Sequence, residues 1–266
     1  MKILLVSDLH YALKQYDWTA SVAQNYDVVV VAGDHLDIAG ALEGGVQIVV
    51  ILKYLKRLAE RTKLIVSSGN HDLDRRDAAG EKIASWMRQV RLLGIAADDD
   101  SVMIGETLIS VCPWWDGPIA KQKLHAQLER DAGKPKQSWI WVYHAPPEGS
   151  PTAWTGKRSY GDASLSEWIG AYKPNIVLAG HIHEAPFVHA GSWADRIGDT
   201  WIFNSGRQIG PVPTHIAIDT DANEAAWFSM EGAELVRLDA PLDRVQLGAM
   251  PAWMEINSPV LGQSPA

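Results

Sequence analysis

Asp27-Val-Val-Val-Val-Ala32 running into Gly33-Asp34-His35-Leu36-Asp37 is the stretch on which the fold turns. Its first six residues are a β-branched run flanked by turn formers, the pattern of a strand. The run stops abruptly in Gly, Asp and His, so polar side chains gather at the strand's carboxyl end. Other strands end in a related way. Ile3 to Val6 is a short buried-strand run ending in Ser7-Asp8-Leu9-His10, and Leu64 to Ser67 ends in Ser68-Gly69-Asn70-His71-Asp72. Farther along, Ser138 to Tyr143 leads into His144-Ala-Pro-Pro147, and Asn175 to Ala179 into Gly180-His181-Ile182-His183.

Helical signals alternate with these strands. They cover Asp17 to Asn25, Gly45 to Arg61, Glu81 to Leu93, Ile119 to Arg130 and Ser164 to Tyr172. The second has apolar residues at 46, 49, 50, 52, 55 and 58, close to helical spacing. Ser101 to Val111 reads as a hairpin turning at Gly105-Glu106. From Thr200 to Leu238 the signals are strands only, with turns at Asp219-Thr-Asp221 and Glu231-Gly232. Alternation predicts an α/β layer architecture, and the added β segments predict a second sheet packed on the first. No internal repeat or boundary divides the chain. One domain is expected over residues 1–239, followed by an extended, proline-bearing tail over 240–266. The loop Ala145 to Asp162, rich in Pro, Gly and Ser, is long enough to be functional or mobile.

Composition narrows the function classes. A chain of 266 residues can bury a sizeable core. A net charge of −8 leaves no broad basic surface for a long nucleic acid. The single cysteine, Cys112, excludes an internal disulfide and suits a reducing compartment. The apolar run after Lys2 is too short for a signal-peptide core, and no apolar run approaches membrane-spanning length. A cytoplasmic protein is expected, and the sequence leaves a homo-oligomer open.

Strand carboxyl ends in an open α/β sheet gather around one crevice where ligands bind. Asp and Asn oxygens mixed with imidazole nitrogens, without thiolate, suit divalent Mn, Fe, Co, Ni or Zn. The donors are too many for one ion, whereas a carboxylate shared by two ions about 3.5–4 Å apart uses them all. Taken singly, each motif reads more readily as a turn-closing Asp or Asn and a satisfied histidine. Five in one order do not.

Together these motifs resemble those of the calcineurin-like metallophosphoesterases: D-x-H, G-D-x-x-D, G-N-H-D/E, a separate His, and G-H-x-H, all present and in order between Lys2 and Gly206. The resemblance implies a sandwich of two mixed β-sheets flanked by helices. It also implies two divalent ions, one held by Asp8, His10 and His183 and the other by Asn70, His144 and His181, with Asp34 bridging them. In that pattern His71 is a general acid oriented by Asp37, and a metal-bridging hydroxide attacks a phosphoester.

Departures from the pattern bear on the ester. The protein Ser/Thr phosphatases have an Arg after the second Asp of G-D-x-x-D, where this chain has Ile38. A dianionic monoester gains most from such a guanidinium, so its loss leans toward small phosphodiesters. His144-Ala-Pro-Pro147 also resembles the H-x-P-P of members that cleave cyclic nucleotides and other diesters. Lys157 or Arg158 could restore the charge from the long loop. Trp114, Trp115, Trp154 and Tyr160 could frame a pocket for an aromatic or apolar leaving group. His35, atypical within its motif, is read as a surface residue in preference to one supporting the ligands. The alternatives are a monoesterase of the same family and a non-catalytic scaffold; the complete donor set with His71 argues against the scaffold.

Overall fold

β1 (Lys2–Val6), β2 (Val28–Ala32) and β3 (Lys63–Ser67) lie side by side in parallel, with Leu4 beside Val29 and Val29 beside Leu64. All five side chains of β2 are buried, so the strand is written as an unbroken valine run. Parallel neighbours need crossovers, which α1 (Leu13–Val22) and α2 (Gly44–Ala59) supply. Strand alternation divides the side chains between two cores. Leu4, Val6, Val29 and Val31 pack with Ile51, Leu55 and Leu58 of α2, whereas Ile3, Leu5, Val28 and Val30 join the other core. The structure, a computed structural model, describes residues 1–255.

A two-stranded ladder of β4 (Arg75–Arg76) and β5 (Lys82–Ile83) follows, then the short α3 (Met87–Leu92). The helix expected over Glu81–Leu93 therefore forms only in its second half. The first half is held as a hairpin because Asp74 and Asp77 accept the backbone N–H groups of Ser85 and Glu81.

The second sheet contains β6 (Ser101–Ile104), β7 (Thr107–Val111), β8 (Ser138–Val142), β9 (Ile176–Ala179), β10 (Ala194–Ile197) and β11 (Thr200–Asn204). Its order is β10-β11-β9-β8-β7-β6, with the four central strands parallel and the hairpin at one edge. The helices α4 (Pro118–Ala132) and α5 (Ala163–Tyr172) contribute Leu124, Leu128, Leu165 and Ile169 to the cluster on one face of this sheet.

The chain then returns to the first sheet as β12 (His215–Asp219), β13 (Glu224–Ser229) and β14 (Gly232–Arg237), antiparallel beyond β1. Within the segment expected to trail as a tail, β15 (Val245–Gln246) pairs with β14 and Ala252–Glu255 makes a helical turn. Residues 256–266 lie outside the described ones.

The two mixed sheets share one core. Ile3, Val28 and Ile216 of the first pack with Ile140, Leu178, Phe203 and Trp193 of the second. Burying an aliphatic side chain contributes about 1.5–3 kcal/mol, against roughly 0–1 kcal/mol for an exposed ion pair, so this interface outweighs the surface ion pairs in holding the sheets together. Its effect on function is to hold the carboxyl ends of both parallel sets together.

Candidate metal centre

The ends of β1 and β2 are tied by backbone bonds: Asp8 N–H donates to Gly33 O (3.1 Å) and His10 N–H to Asp34 O (2.9 Å). To make these bends Asp8, His10 and Asp34 take φ values of 55°, 39° and 55°, and His181 takes 68°. Non-glycine residues rarely enter this left-handed region, and such outliers gather at functional sites. Strand three approaches through Gly69, where an added Cβ would strike Asp34 Oδ1 and the His144 ring. His144, following β8, points Nδ1 at Ala32 O (2.7 Å). Nδ1–H donates there, so in the neutral ring Nε2 carries the lone pair that faces the cluster.

The donor atoms converge. His183 Nε2 lies 3.1 Å from His10 Nε2 and 3.2 Å from Asp8 Oδ1, and His10 Nε2 lies 3.7 Å from Asp34 Oδ2. His144 Nε2 lies 3.2 Å from Asp34 Oδ2 without hydrogen-bonding geometry. Ligands about 2.0–2.2 Å from one ion lie roughly 3–4 Å from each other, so these spacings match those of a coordination shell. Two groups result, Asp8-His10-Asp34-His183 and Asp34-His144-His181, sharing Asp34. Asn70 Oδ1 and His144 Nε2 are buried without a hydrogen-bond partner. A buried polar atom left so is costly, and a cation would satisfy both. The donor set fits two divalent ions.

Electrostatics agree with that fit. Burial raises the Asp8 and Asp34 carboxyls, but the neighbouring His144 ring, with His183 beside Asp8, more than offsets it and leaves both below the usual range. Burial opposes charging His144, yet Asp34 and Asp8 bring its pKa up to about 9. Two buried carboxylates thus demand positive charge. Burial pushes His10 and His181 down to about 4, so both rings are neutral donors near pH 7.

His71 Nε2 stands 3.9 Å from Asp34 Oδ2, and the His71 ring meets His10 edge-on at 4.5 Å. Its amide donates to Asp34 Oδ1 (2.8 Å), while its Nδ1 is buried with no partner. The orientation expected from Asp37 is not made: Asp37 Oδ1 accepts the Ala39 N–H, and no hydrogen bond joins Asp37 to His71 among the described residues. His35 is a second correction. Expected at the surface, it is fully buried, with Nδ1 2.9 Å from Tyr16 Oη and Nε2 3.1 Å from Ser67 O. It fastens the end of β2 to α1 and to the end of β3.

Of the substrate candidates, Trp114 packs against the cluster, its ring 5.1 Å from His181 and 5.7 Å from His144. Trp115 is instead anchored by Nε1–H to Asp162 (3.0 Å), and Trp154 donates to His189 O (3.1 Å). Arg158 lies over the Tyr160 ring at 4.1 Å, and neither Arg158 nor the exposed Lys157 bonds to the cluster among the described residues.

Two residues received no role in the sequence reading. Asp72 is buried and accepts N–H groups from Gly69, His35 and Leu36, closing the turn that presents Asn70 and His71. Arg207 donates Nε–H to Asp8 O (3.1 Å) and its backbone N–H to His183 O (3.2 Å). Its guanidinium adds positive charge beside His10. The signal was there: Asn204-Ser205-Gly206-Arg207 ends β11 with the same polar and glycine residues as the other strands.

A family model described as calcineurin-like phosphoesterase matches residues 1–185. The chain belongs to that family. Among solved structures it is similar to the Thermus thermophilus protein TT1561, at 14% identity and a TM-score of 0.56 over 89% of this chain and 98% of that one. It is also similar to the purple acid phosphatase PPD1 from yellow lupin (Lupinus luteus) seeds, at 12% identity and 0.53, over 90% of this chain and 51% of the other. At such identities these two show a shared fold. No curated protein sequence matches significantly. Membership makes this calcineurin-like chain a metal-dependent phosphoester hydrolase by family, and none of its described helices is long and apolar enough to cross a membrane.

Proposed function

We propose that this calcineurin-like phosphoesterase uses two divalent cations to hydrolyse small phosphoesters, diesters in preference to monoesters. The observation that carries the reading is the pair of donor groups joined at Asp34, with Asn70 Oδ1 and His144 Nε2 buried and unpartnered beside them. Asp8, His10 and His183 would hold one ion and Asn70, His144 and His181 the other. The absence of thiolate favours Mn, Fe, Co, Ni or Zn. When bound, such ions activate water and neutralise phosphoryl oxygens.

The chain's own groups supply the rest. His71, partly exposed beside Asp34, donates its proton to the leaving oxygen as the P–O bond breaks. Asp34 Oδ1 fixes the His71 backbone, and Asp72 holds the turn that carries it. Arg207, clamped between Asp8 O and His183, offers its guanidinium to a phosphoryl oxygen. The diester preference rests on Ile38, 69% exposed where the phosphatases have an Arg. Arg207 also favours a second reading, a monoesterase in which one guanidinium from a different strand end does that work. A small soluble substrate and a cytoplasmic setting fit the acidic surface and the single buried Cys112.

Comparing kcat/KM for a bis-aryl phosphate and an aryl monophosphate with one shared leaving group, under each metal, decides between the readings. The expected result is metal-dependent hydrolysis with the diester ahead. A clear monoester preference selects the second reading, and no hydrolysis with any metal rejects both.

A further inference from the structure

A hollow of about 580 Å³ opens beside His71. None of the proposed metal ligands lines it. Its walls are Ile38, Leu42 and Leu73, with the carboxylates Asp37, Glu43 and Asp74 between them. No Lys or Arg is among its lining residues. Asp74 is tied to Ser85 and has Arg75 Nε 3.8 Å away, on a side chain 76% exposed. Asp37 and Glu43 have no salt-bridge partner among the described residues.

The wall is built, not slack. Gln47, buried on α2, accepts the Asp37 N–H (2.8 Å) and donates to Asp37 O (2.9 Å) and Leu42 O (2.8 Å). One side chain thereby fixes both ends of the segment 37–42, and Ile38 and Leu42 stay open to solvent. An exposed Ile or Leu is ordinary in isolation. Two of them held beside a proton donor, with uncompensated carboxylates between, describe a complementary shape for an apolar cation.

His71 protonates the leaving oxygen, so the body of the leaving alcohol extends from that oxygen on the His71 side, where the hollow begins. We propose that this hollow is the leaving-group subsite and that it selects an alcohol with an apolar body and a positive charge. A neutral alcohol of the same shape is second, and an anionic one is turned away. Trp114 then belongs to the half of the ester that stays on phosphorus, since it packs on His144 and His181. The inference rests on the phosphoesterase reading above and on His71 as its acid.

Three methyl aryl phosphodiesters test it. Each aryl ring carries, through a two-carbon spacer at the meta position, a trimethylammonium, a tert-butyl or a carboxylate group. The spacer keeps the leaving-group acidities close, so kcat/KM reports recognition. The expected order is cationic, neutral, anionic, with about tenfold at each step at low ionic strength. Glu43→Gln should compress the spread and Glu43→Lys should place the anionic ester above the cationic one. Ile38→Ser should raise KM for the neutral ester. Equal values for the three esters, or an order that Glu43→Lys leaves unchanged, would overturn the subsite. Hydrolysis of none of them under any metal would instead bring down the phosphoesterase reading itself.

Discussion

Asn70 and His71 are neighbours in the chain with opposite surroundings. Asn70 Oδ1 is buried without a partner, whereas the His71 side chain keeps 23% of its surface open and holds Nε2 3.9 Å from the shared carboxylate. Asn70–Asp72 form one 3-10 turn, three residues to the turn, so neighbouring side chains point about 120° apart and one can face an ion while the next leans toward substrate. The division of labour is testable at these two positions. His71→Gln should keep its metal and lose about 10²–10⁴-fold in turnover on an alkyl leaving group, the usual contribution of a general acid. For nitrophenolate, which leaves without help, the loss should be far smaller. Asn70→Ala should lower metal content and slow both substrates alike. A His71 variant stripped of metal, or one equally impaired on both leaving groups, would overturn this division. His144 is the residue-scale counterpart: its bond to Ala32 O keeps a proton on Nδ1, so the proton that a cation would displace is the one on Nε2, facing Asp34.

The strand end is the element that makes the site, and its tightest point is Gly69. A methyl group there would collide with Asp34 Oδ1 and His144, which belong to two other strand ends. Gly69→Ala should therefore push apart the shared carboxylate and its neighbour. Elemental analysis should find much less metal bound, while circular dichroism still reports a folded chain because the three hydrophobic clusters lie elsewhere. Wild-type metal content in that variant would refute the close approach. What made these ends legible in the sequence is local: an apolar run that stops at an Asp, Asn or His, with a glycine beside the donor at three of the five ends. Asp8, His10, Asp34, His144, His181 and His183 converge because each strand end carries its own donor to the same crevice. Features that depend on distant partners were not legible. Half of the helix expected over Glu81–Leu93 gave way to side-chain capping by Asp74 and Asp77. His35 is buried because Tyr16 and Ser67 O, from other elements, meet its two nitrogens. The edge strand β15 is two residues long, too short for any periodicity to register. Arg207 was missed because its strand end closes on an Arg and not on the Asp, Asn or His of the other ends, and what brings it to the site is its reach to Asp8 O across the sandwich.

At the scale of the molecule, two sheets must be joined without disturbing the crevice between their carboxyl ends, and the segment before β6 carries that junction. Ala96 bridges to Ile65 at the edge of the first sheet, and the chain then enters the second. Asp98 sits at this passage, fully buried, with Oδ1 accepting the Ser68 N–H (2.8 Å) just before the ligand turn. Arg91 donates to its backbone carbonyl. Burial lifts the Asp98 carboxyl to about 7, with nearby Asp99 adding to the rise and Ser68 and Arg91 opposing it. The sign follows from linkage. Between the unfolded value near 3.8 and about 7, the folded chain binds a proton that the unfolded chain has released, so stability falls as pH rises through that window. Asp98→Asn keeps the acceptor for Ser68 and removes the titration. In urea denaturation the variant should match the native protein near pH 4 and exceed it at pH 8, by at most about 4 kcal/mol at 1.36 kcal/mol per unit. Parallel stability curves for the two proteins across that range would mean that Asp98 is ionised in the folded state. The junction would then be held by the Ser68 N–H and Arg91 around a buried carboxylate, and not by a neutral acid.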